Sequence, residues 1–239
     1  MKDVFIDTSR TAAFNEAMSI VADTEKGQPG LVMGWGLAGR GKTMAAQRYV
    51  THNRGAVYIR VYQDWTPRAM LAAICSRLNG MNPVRVDKAK QAIIEELDAK
   101  QGTVLLIDEA DRLAMNNIEH LRDIHDETGV PIALIGEPSL YAKLTARRRI
   151  LERVTRRVEF GPIQDVDVVM FGAKACGLTI QPDAAVSMVS RSTGSFRLLF
   201  HLMVDAERMA QANKTDTITM EMIDSIPNRR MTPSPEKEM

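Results

Sequence analysis

Eight consecutive residues, 36–43, constrain the fold of this 239-residue chain more than any other stretch. They read GLAGRGKT and match the pattern G-x-x-x-x-G-K-[ST] in full. Glycines let the backbone turn tightly with its N–H groups directed towards a phosphate, and a following helix adds the positive end of its dipole. In this pattern Lys42 reaches the β- and γ-phosphates of a nucleoside triphosphate, and Thr43 offers its hydroxyl to Mg²⁺. The residues that we expect to surround the phosphates are Gly36, Leu37, Ala38, Gly39, Arg40, Gly41, Lys42, Thr43 and Met44.

The segments on either side of this loop favour a phosphate-binding role over a plain turn with a surface lysine. Residues 31–33 form a short apolar run typical of a strand, and residues 44–50 are typical of the start of a helix. A phosphate-binding loop of this kind joins a strand to a helix in that order. The sequence therefore predicts a nucleotide-binding protein that takes ATP and Mg²⁺ as cofactors.

A second apolar run ends in two carboxylates. Residues 103–107 are largely apolar, as expected for a strand buried on both faces of a parallel sheet, and Asp108 and Glu109 follow directly. The carboxyl ends of such strands lie at the edge where open α/β sheets bind ligands. Taken alone, two acids at the end of an apolar strand would be a helix cap or a solvated edge about half the time. Behind a phosphate-binding loop, we instead expect Asp108 to hold Mg²⁺ through its water shell, and Glu109 to orient and deprotonate the attacking water.

Strands and helices alternate along the first part of the chain. Further strands are predicted at residues 56–61 and 130–136, and a polar turn at 25–30. Apolar residues at helical spacing, with capping residues at their starts, predict the helices. These helices are predicted at 8–21, 66–79 and 87–100, with a fourth that ends at Gly129. This order predicts an α/β fold, a parallel sheet covered by helices on both faces.

The composition changes after Gly161, where β-branched runs give way to helical spacing. Four helices are predicted, at residues 166–175, 183–190, 195–212 and 219–226. The chain thus divides into a nucleotide-binding α/β domain at 1–161, a small helical lid at 162–226 and a flexible tail at 227–239. Within the lid, Arg197 stands at a capped helix start, where its guanidinium could face the nucleotide.

Residues 147–157 hold six arginines and a single acid, Glu152, which is the strongest charge anomaly in the chain. Such runs are most often a solvated helix face. Two functional interpretations compete with this one. An arginine supplied to the nucleotide of a neighbouring subunit would stabilise charge at the γ-phosphate, and a basic cluster could instead contact DNA phosphates. The residue pattern alone leaves all three interpretations open.

Composition limits the partners and the compartment. A formal net charge of +1 gives no overall field that would attract polyanions, so affinity for nucleic acid must come from a local patch. Cys75 and Cys176 lack the spacing of a metal site and are expected to be reduced packing residues. The N-terminus shows no apolar leader, and no run approaches the length of a membrane span. We therefore expect a cytoplasmic protein without a membrane partner.

Three motifs together resemble those of the AAA+ ATPases. Residues 36–43 are similar to the Walker A motif, 105–109 to Walker B, and 194–199 to the sensor-2 motif of a helical lid. The resemblance covers residues 8–226 and implies a P-loop NTPase fold with a small α-helical lid. Within this family, the compact lid, the short interval between the Walker motifs and the closing residues 218–223 resemble the transposition ATPases of Mu-like bacteriophages and related transposons.

This resemblance implies an activity and a set of partners. It implies an ATPase that binds double-stranded DNA without sequence specificity, assembles on target DNA as a helical oligomer, recruits or activates a transposase, and releases DNA on hydrolysis. The protein would then be encoded by a bacteriophage or transposon and act in the bacterial cytoplasm. Because the first helix begins close to the N-terminus, no preceding helix-turn-helix is expected. The alternatives are a helicase- or clamp-loader-type ATPase, and a nucleotide switch that contacts protein rather than DNA.

The resemblance also implies roles for individual residues. The last strand of the sheet is predicted at 158–160, and residues 151–154 precede it. In the family, an arginine at this position enters the nucleotide site of the neighbouring subunit. The resemblance therefore implies that Arg153 acts in trans, with Arg156 as the alternative. Glu137 occupies the sensor-1 position, which is usually a small polar residue. DNA contacts are expected on loops that face the centre of the assembly, with a solvated surface as the alternative. The candidates for these contacts are Arg68, Arg85, Lys88 and Lys90.

Overall fold

The computed structural model of the protein describes residues 2, 5–23 and 30–227. It divides the chain into two compact units, Ser9–Phe160 and a unit that combines Met1–Thr8 with Gly161–Met239. The polar turn predicted at 25–30 and the tail predicted at 227–239 lie almost entirely outside the described residues. The segment before Ser9 belongs to the second unit, not to the nucleotide-binding domain as predicted, because Ile6 is part of the second unit's apolar core.

The strands of the first unit form one sheet. They are β1 Leu31–Trp35, β2 Ala56–Arg60, β3 Val104–Asp108, β4 Ile132–Gly136 and β5 Val154–Glu159. In the described part of this unit the five strands are parallel and lie in the order β2-β3-β4-β1-β5. The inner strands β3 and β4 are buried along their whole length, as their continuous apolar sequence predicts. The predicted parallel sheet is confirmed.

Helices cover both faces of this sheet. They are α1 Ser9–Ala22, α2 Lys42–His52, α3 Pro67–Asn79, α4 Val86–Ala99, α5 Met115–Thr128, α6 Pro138–Thr145 and α7 Arg148–Leu151. Successive strand residues point to opposite faces. Leu105 and Ile107 therefore join a core with α3, α4 and α5, whereas Leu106 joins a core with α1 and α2. The predicted covering of both faces is confirmed.

The start and end of α3 follow from local sequence signals. Thr66 caps the first turn by accepting a hydrogen bond from the backbone N–H of Ala69 at 3.3 Å, and Pro67 is the first helical residue. Gly80 ends the helix in the left-handed conformation, with φ of 75°. Gly129, with φ of 69°, ends α5 in the same way. Both boundaries agree with the sequence prediction.

The arginine-rich segment is not a single helix face. Arg148 and Arg149 lie in α7, Arg153 precedes β5, and Arg156 and Arg157 lie within β5, which is an edge strand of the sheet. The interpretation as one solvated helix face is therefore wrong. Helix α7 was not predicted because it consists of a single turn, which is too short to show an apolar period.

The second unit is mainly helical. Its helices are α8 Asp165–Phe171, α9 Pro182–Arg191, α10 Phe196–Ala212 and α11 Met220–Ser225, in agreement with the four predicted ones. Helix α8 continues into a π-helical turn at Gly172–Cys176. Two parallel strands, β6 Thr179–Ile180 and β7 Thr217–Ile218, were not predicted, because two residues cannot show a period. Throughout the part of the chain that the structure describes, no helix combines the length and the apolar character needed to cross a membrane.

Candidate nucleotide-binding site

The loop predicted to bind phosphates connects β1 to α2. Gly39 and Gly41 have φ of 77° and 86°, a left-handed conformation that glycine adopts without strain. Gly41 immediately precedes Lys42, the first residue of α2. A Cβ atom added at Gly36 would collide with the backbone carbonyl of Phe160. Glycine is therefore needed at Gly39 and Gly41 to shape the loop, and at Gly36 to let the backbone pass close to Phe160 of the same chain.

Lys42 is held inside this loop by backbone carbonyl groups. Its Nζ donates to the carbonyl oxygens of Gly36 at 2.6 Å and Leu37 at 2.9 Å. Burial lowers the pKa of Lys42, while nearby carboxylates, led by Glu137 and Asp108, act in the opposite direction. Among the described residues no side chain caps the N-terminus of α2, so its first N–H groups are suited to an anion. The loop therefore fits a bound polyphosphate.

Asp108 ends β3 and is 1% exposed. Its Oδ2 accepts hydrogen bonds from the hydroxyl groups of Thr43 at 2.8 Å and Tyr58 at 2.7 Å, and its Oδ1 accepts one from the backbone N–H of Glu109 at 3.0 Å. Thr43 and Asp108, the two residues predicted to hold Mg²⁺, are thus in contact although they lie 65 positions apart in the sequence. Hydroxyl and carboxylate oxygens are ligands that Mg²⁺ prefers, so the pair fits a Mg²⁺–nucleotide complex.

Tyr58 was not identified from the sequence. The sequence pattern of residues 56–61 marks Tyr58 only as a strand-forming residue. Burial, together with the hydrogen bond to Asp108, raises the pKa of the Tyr58 hydroxyl, which therefore stays protonated and acts as the donor. A further hydrogen bond, from the side chain of Gln47, connects the same hydroxyl to α2. A sequence period cannot predict that a hydroxyl group will donate a hydrogen bond to a residue of the neighbouring strand.

Glu109, the predicted general base, has a left-handed backbone with φ of 59°. Its carboxylate lies 3.5 Å from Nη2 of Arg60 and 3.2 Å from Nη2 of Arg112. Arg60 ends β2 and pairs in register with Asp108, which explains why it reaches the following residue. Neither arginine was predicted. Each arginine contacts a different carboxylate oxygen, so acceptor sites remain at which Glu109 can bind a water and take its proton.

A protein-family model described as an AAA domain matches residues 25–144, which is half of the chain. The chain belongs to this AAA domain family. The matched segment contains the phosphate-binding loop and both acids at the end of β3. Membership implies ATP hydrolysis, and it confirms the predicted P-loop fold.

The AAA domain protein is similar to ATP-dependent target DNA activator B of Escherichia phage Mu, with 27% identity over 205 residues that cover 80% of this chain and 60% of that protein. It spans 48% to 60% of the length of the first curated relatives that it matches. The predicted resemblance to the transposition ATPases of Mu-like bacteriophages is confirmed.

Solved structures share the fold. The Aeropyrum pernix ORC1 protein in complex with DNA has a TM-score of 0.65 and 16% identity, covering 94% of this chain and 65% of that chain. The Thermotoga maritima RuvB Holliday junction branch migration motor has a TM-score of 0.59 and 19% identity, covering 92% of this chain and 68% of that chain. Both support the AAA+ architecture inferred from the sequence.

A hydrogen-bond network joins the end of β3 to the end of β4 in this AAA domain. Oδ1 of Asp111 accepts from the backbone N–H of Glu137 at 2.9 Å. Lys143 donates to the carbonyl oxygens of Asp111 at 2.6 Å and Leu113 at 2.7 Å. A Cβ atom added at Gly136 would collide with Asp111. The network fixes the backbone at the predicted sensor-1 position, Glu137, whose role stays a prediction.

The predicted trans-acting arginine is paired within its own chain. Arg153 donates to both carboxylate oxygens of Asp126 in α5, at 3.0 Å and 3.1 Å. Arg149 lies 3.3 Å from Glu119 of the same helix. Arg153 directly precedes β5, and the alternative, Arg156, lies within that strand. The structure thus separates this segment from the acids at the end of β3, and a role in trans stays a prediction.

The candidates for DNA contact lie on α3 and at the start of α4. Arg68 is exposed in the first turn of α3. The three residues at the start of α4 each have an acceptor in their own chain. The distances are 2.8 Å for Arg85–Asp87, 3.3 Å for Lys88–Gln91 and 2.9 Å for Lys90–Asp123. Asp87 and Asp123 therefore partly compensate the charges of Arg85 and Lys90, whereas the neutral amide of Gln91 does not compensate that of Lys88.

Arg197, the residue of the lid that is predicted to contact the nucleotide, is exposed in the first turn of α10. Ser195 occupies the N-cap position, as the sequence predicts, but its side chain makes no capping hydrogen bond. A contact between Arg197 and the nucleotide stays a prediction.

Proposed function

We propose that this AAA domain protein is an ATPase that binds double-stranded DNA without sequence preference, assembles on it as a helical homo-oligomer and delivers it to a transposase. The observation that supports the ATPase above all is the hydrogen bond between Thr43 and Asp108, which joins the phosphate-binding loop to the acidic end of β3. The similarity to the phage Mu activator over 80% of the chain supports the DNA and transposase partners. DNA and oligomerisation would stimulate hydrolysis.

Each residue of the site has a role in this proposal. Lys42 and the N–H groups of the loop bind the β- and γ-phosphates. Thr43 and Asp108 hold Mg²⁺, which neutralises phosphate charge when bound. Glu109 orients the attacking water and accepts its proton. Arg153 acts at the γ-phosphate of the neighbouring subunit, so that hydrolysis depends on assembly.

The DNA contact is proposed to be local, since the net charge of the chain is only +1. Arg68, Arg85, Lys88 and Lys90 would contact the phosphate backbone, which carries no base sequence information. Arg197 would contact the nucleotide from the lid at 162–226, which follows the nucleotide-binding domain. The protein would act in the bacterial cytoplasm, encoded by a bacteriophage or transposon.

Binding to duplex DNA with and without a non-hydrolysable ATP analogue tests this function. Fluorescence anisotropy across salt concentrations gives the affinity, and electron microscopy of the same samples shows the assembly. We expect binding that requires the analogue, weakens steeply with salt and produces filaments. Absence of analogue-dependent DNA binding would instead indicate a switch that contacts protein. Strand separation without filaments would indicate a helicase-type motor. The Lys42→Ala variant is the control, since it should not respond to the analogue.

A further inference from the structure

Tyr58 connects three parts of the site through one hydroxyl group. Its half-buried ring packs in the core beside α1 and α2. The hydroxyl donates to Oδ2 of Asp108 at 2.7 Å and accepts a hydrogen bond from Gln47, which lies one turn after Thr43 in α2. The contact spans 50 positions in the sequence and joins β2 to the end of β3. The residue lies outside both the phosphate-binding loop and the acidic motif.

The hydrogen bonds around Asp108 determine how its carboxylate is oriented. An ionised carboxylate has about four acceptor sites, and three are used here, by Thr43, Tyr58 and the backbone N–H of Glu109. These donors come from α2, from β2 and from the residue that follows β3. Because Asp108 is 1% exposed, solvent is not available to replace a lost donor. Removal of the Tyr58 hydroxyl would leave one donor on each carboxylate oxygen, Thr43 on Oδ2 and the backbone N–H of Glu109 on Oδ1, so the carboxylate would be held less firmly.

We propose that Tyr58 is a positioning residue for Asp108 and that it sets the Mg²⁺ affinity of the nucleotide complex. This inference rests on the proposed nucleotide-binding function and deepens it. Residues that orient a metal-binding carboxylate contribute about 10- to 100-fold to metal affinity when they are fully engaged. Tyr58 lies in β2, which contributes no residue to either motif, and the parallel pairing of β2 with β3 brings its hydroxyl to Asp108.

The substitution Tyr58→Phe tests this role, because it removes the hydroxyl and keeps the ring that packs in the core. The matched control is Tyr49→Phe, the same change at a buried tyrosine of α2 whose ring contacts Phe14 with centroids 6.4 Å apart. Affinity for ADP carrying a methylanthraniloyl fluorophore is measured in EDTA and across a Mg²⁺ titration. Thermal unfolding of each variant without nucleotide is measured alongside.

For Tyr58→Phe, we expect the Mg²⁺ concentration needed for half-maximal tightening of ADP binding to rise about tenfold. The affinity in EDTA should match that of the parent protein, and Tyr49→Phe should behave as the parent in both conditions. An unchanged Mg²⁺ titration would overturn the proposal. Equal loss of affinity with and without Mg²⁺, accompanied by a lower unfolding temperature, would also overturn it and make Tyr58 a packing residue. If the parent protein itself shows no Mg²⁺-dependent nucleotide binding, the proposed function fails instead, and the inference fails with it.

Discussion

Two charged regions of the first unit are built in different ways. At the carboxyl end of β3, Asp108 is buried and receives three hydrogen bonds, while Lys42 is enclosed by carbonyl groups of its own loop. In the arginine-rich segment at 147–157, the side chain of Arg153 is 38% exposed and that of Arg148 is 92% exposed, and each has an acidic partner at the surface. One region holds its charges by burial and the other by surface pairing.

This difference has an energetic consequence. Breaking up a buried, hydrogen-bonded charge leaves an unpaired group and costs several kcal/mol, on the order of 3–5. A solvent-exposed ion pair contributes about 0–1 kcal/mol. Asp108 is therefore arranged before any partner arrives, whereas the arginines can exchange their partners at little cost. Chemistry that needs fixed geometry suits the first region, and contacts made only on assembly suit the second.

The largest effect is expected at the preorganised region, for Glu109→Gln. The amide keeps the shape of the side chain but cannot take a proton from water, so hydrolysis should fall by about 10²- to 10⁴-fold while ATP binding is retained. Phosphate release and ATP affinity are measured in parallel. Glu152→Gln, which changes the only acid of the arginine-rich segment, is the control and should hydrolyse ATP as the parent does. Loss of ATP binding in Glu109→Gln would mean that Glu109 holds the metal.

Arg153→Ala tests whether the arginine-rich segment contributes to hydrolysis only when subunits assemble. An arginine supplied in trans contributes at least about 10³-fold to hydrolysis, so DNA-stimulated hydrolysis and ATP-dependent assembly should be lost while isolated subunits still bind ATP. Arg148→Ala, in the same segment, should have no such effect. Intact basal hydrolysis with weaker, salt-dependent DNA binding would indicate a DNA-phosphate contact instead.

Mixtures of Arg153→Ala and Lys42→Ala subunits sharpen this test. Some interfaces in a mixture combine an intact loop with an intact arginine from the neighbour, so activity should recover if the arginine acts in trans. If no mixture recovers activity, although both variants fold and co-assemble, Arg153 is not the trans-acting residue, and Arg156 is tested next.

Lys42→Ala alone should weaken ATP binding by at least about 100-fold, because it removes a charge-assisted contact to the β- and γ-phosphates worth about 3 kcal/mol. Titration with fluorescent ATP measures the loss. Lys174→Ala, at an exposed lysine of the second unit, is the matched control. Tight ATP binding by Lys42→Ala would show that this loop is not the nucleotide site.

Combined removal of charge at Arg85, Lys88 and Lys90 should weaken DNA binding to the same extent for every DNA sequence. Each phosphate contact that is lost should flatten the dependence of log affinity on log salt by about 0.9. Anisotropy titrations at several salt concentrations measure this slope. Because Arg85 and Lys90 have carboxylate partners in their own chain, the effect should be smaller than for three uncompensated cations. An unchanged slope would indicate that the DNA contacts lie elsewhere, with the arginine-rich segment as the next candidate.

The smallest effect is expected for Asp126→Asn, which weakens the pair with Arg153. The two side chains are 36% and 38% exposed, so the free energy of unfolding should fall by less than about 1 kcal/mol. Urea unfolding monitored by circular dichroism measures it, with Glu152→Gln as a second exposed pair for reference. A loss of about 3 kcal/mol or more would show that the pair behaves as a buried one and would remove the contrast between the regions.

Sequence reasoning succeeded where the signal is local. The boundaries of α3 could be predicted from Thr66 and Gly80, because a cap and a left-handed residue each act within one turn. The buried strand β3 could be predicted because both faces need apolar residues. The contact of Thr43 with Asp108 followed from two motifs that occur together.

The remaining site residues could not be predicted because their contacts depend on strand register. Arg60 reaches Glu109 only because β2 pairs with β3 so that Arg60 lies opposite Asp108. Tyr58 contacts Asp108 across the same pair of strands. A side-chain period of two residues assigns a face to each residue of a strand, but it does not state which residue of the next strand is opposite.

The left-handed backbone at Glu109 also restricts which sequences can occupy this position. A residue other than glycine with φ near 59° carries a cost on the order of 1 kcal/mol, and the cost is highest for β-branched side chains. Asparagine and glycine tolerate this conformation, whereas valine, isoleucine and threonine do not. In a library randomised at residue 109 and selected only for folding, β-branched residues should therefore be depleted even though hydrolysis is not required. The position is constrained twice, by its chemistry and by its backbone.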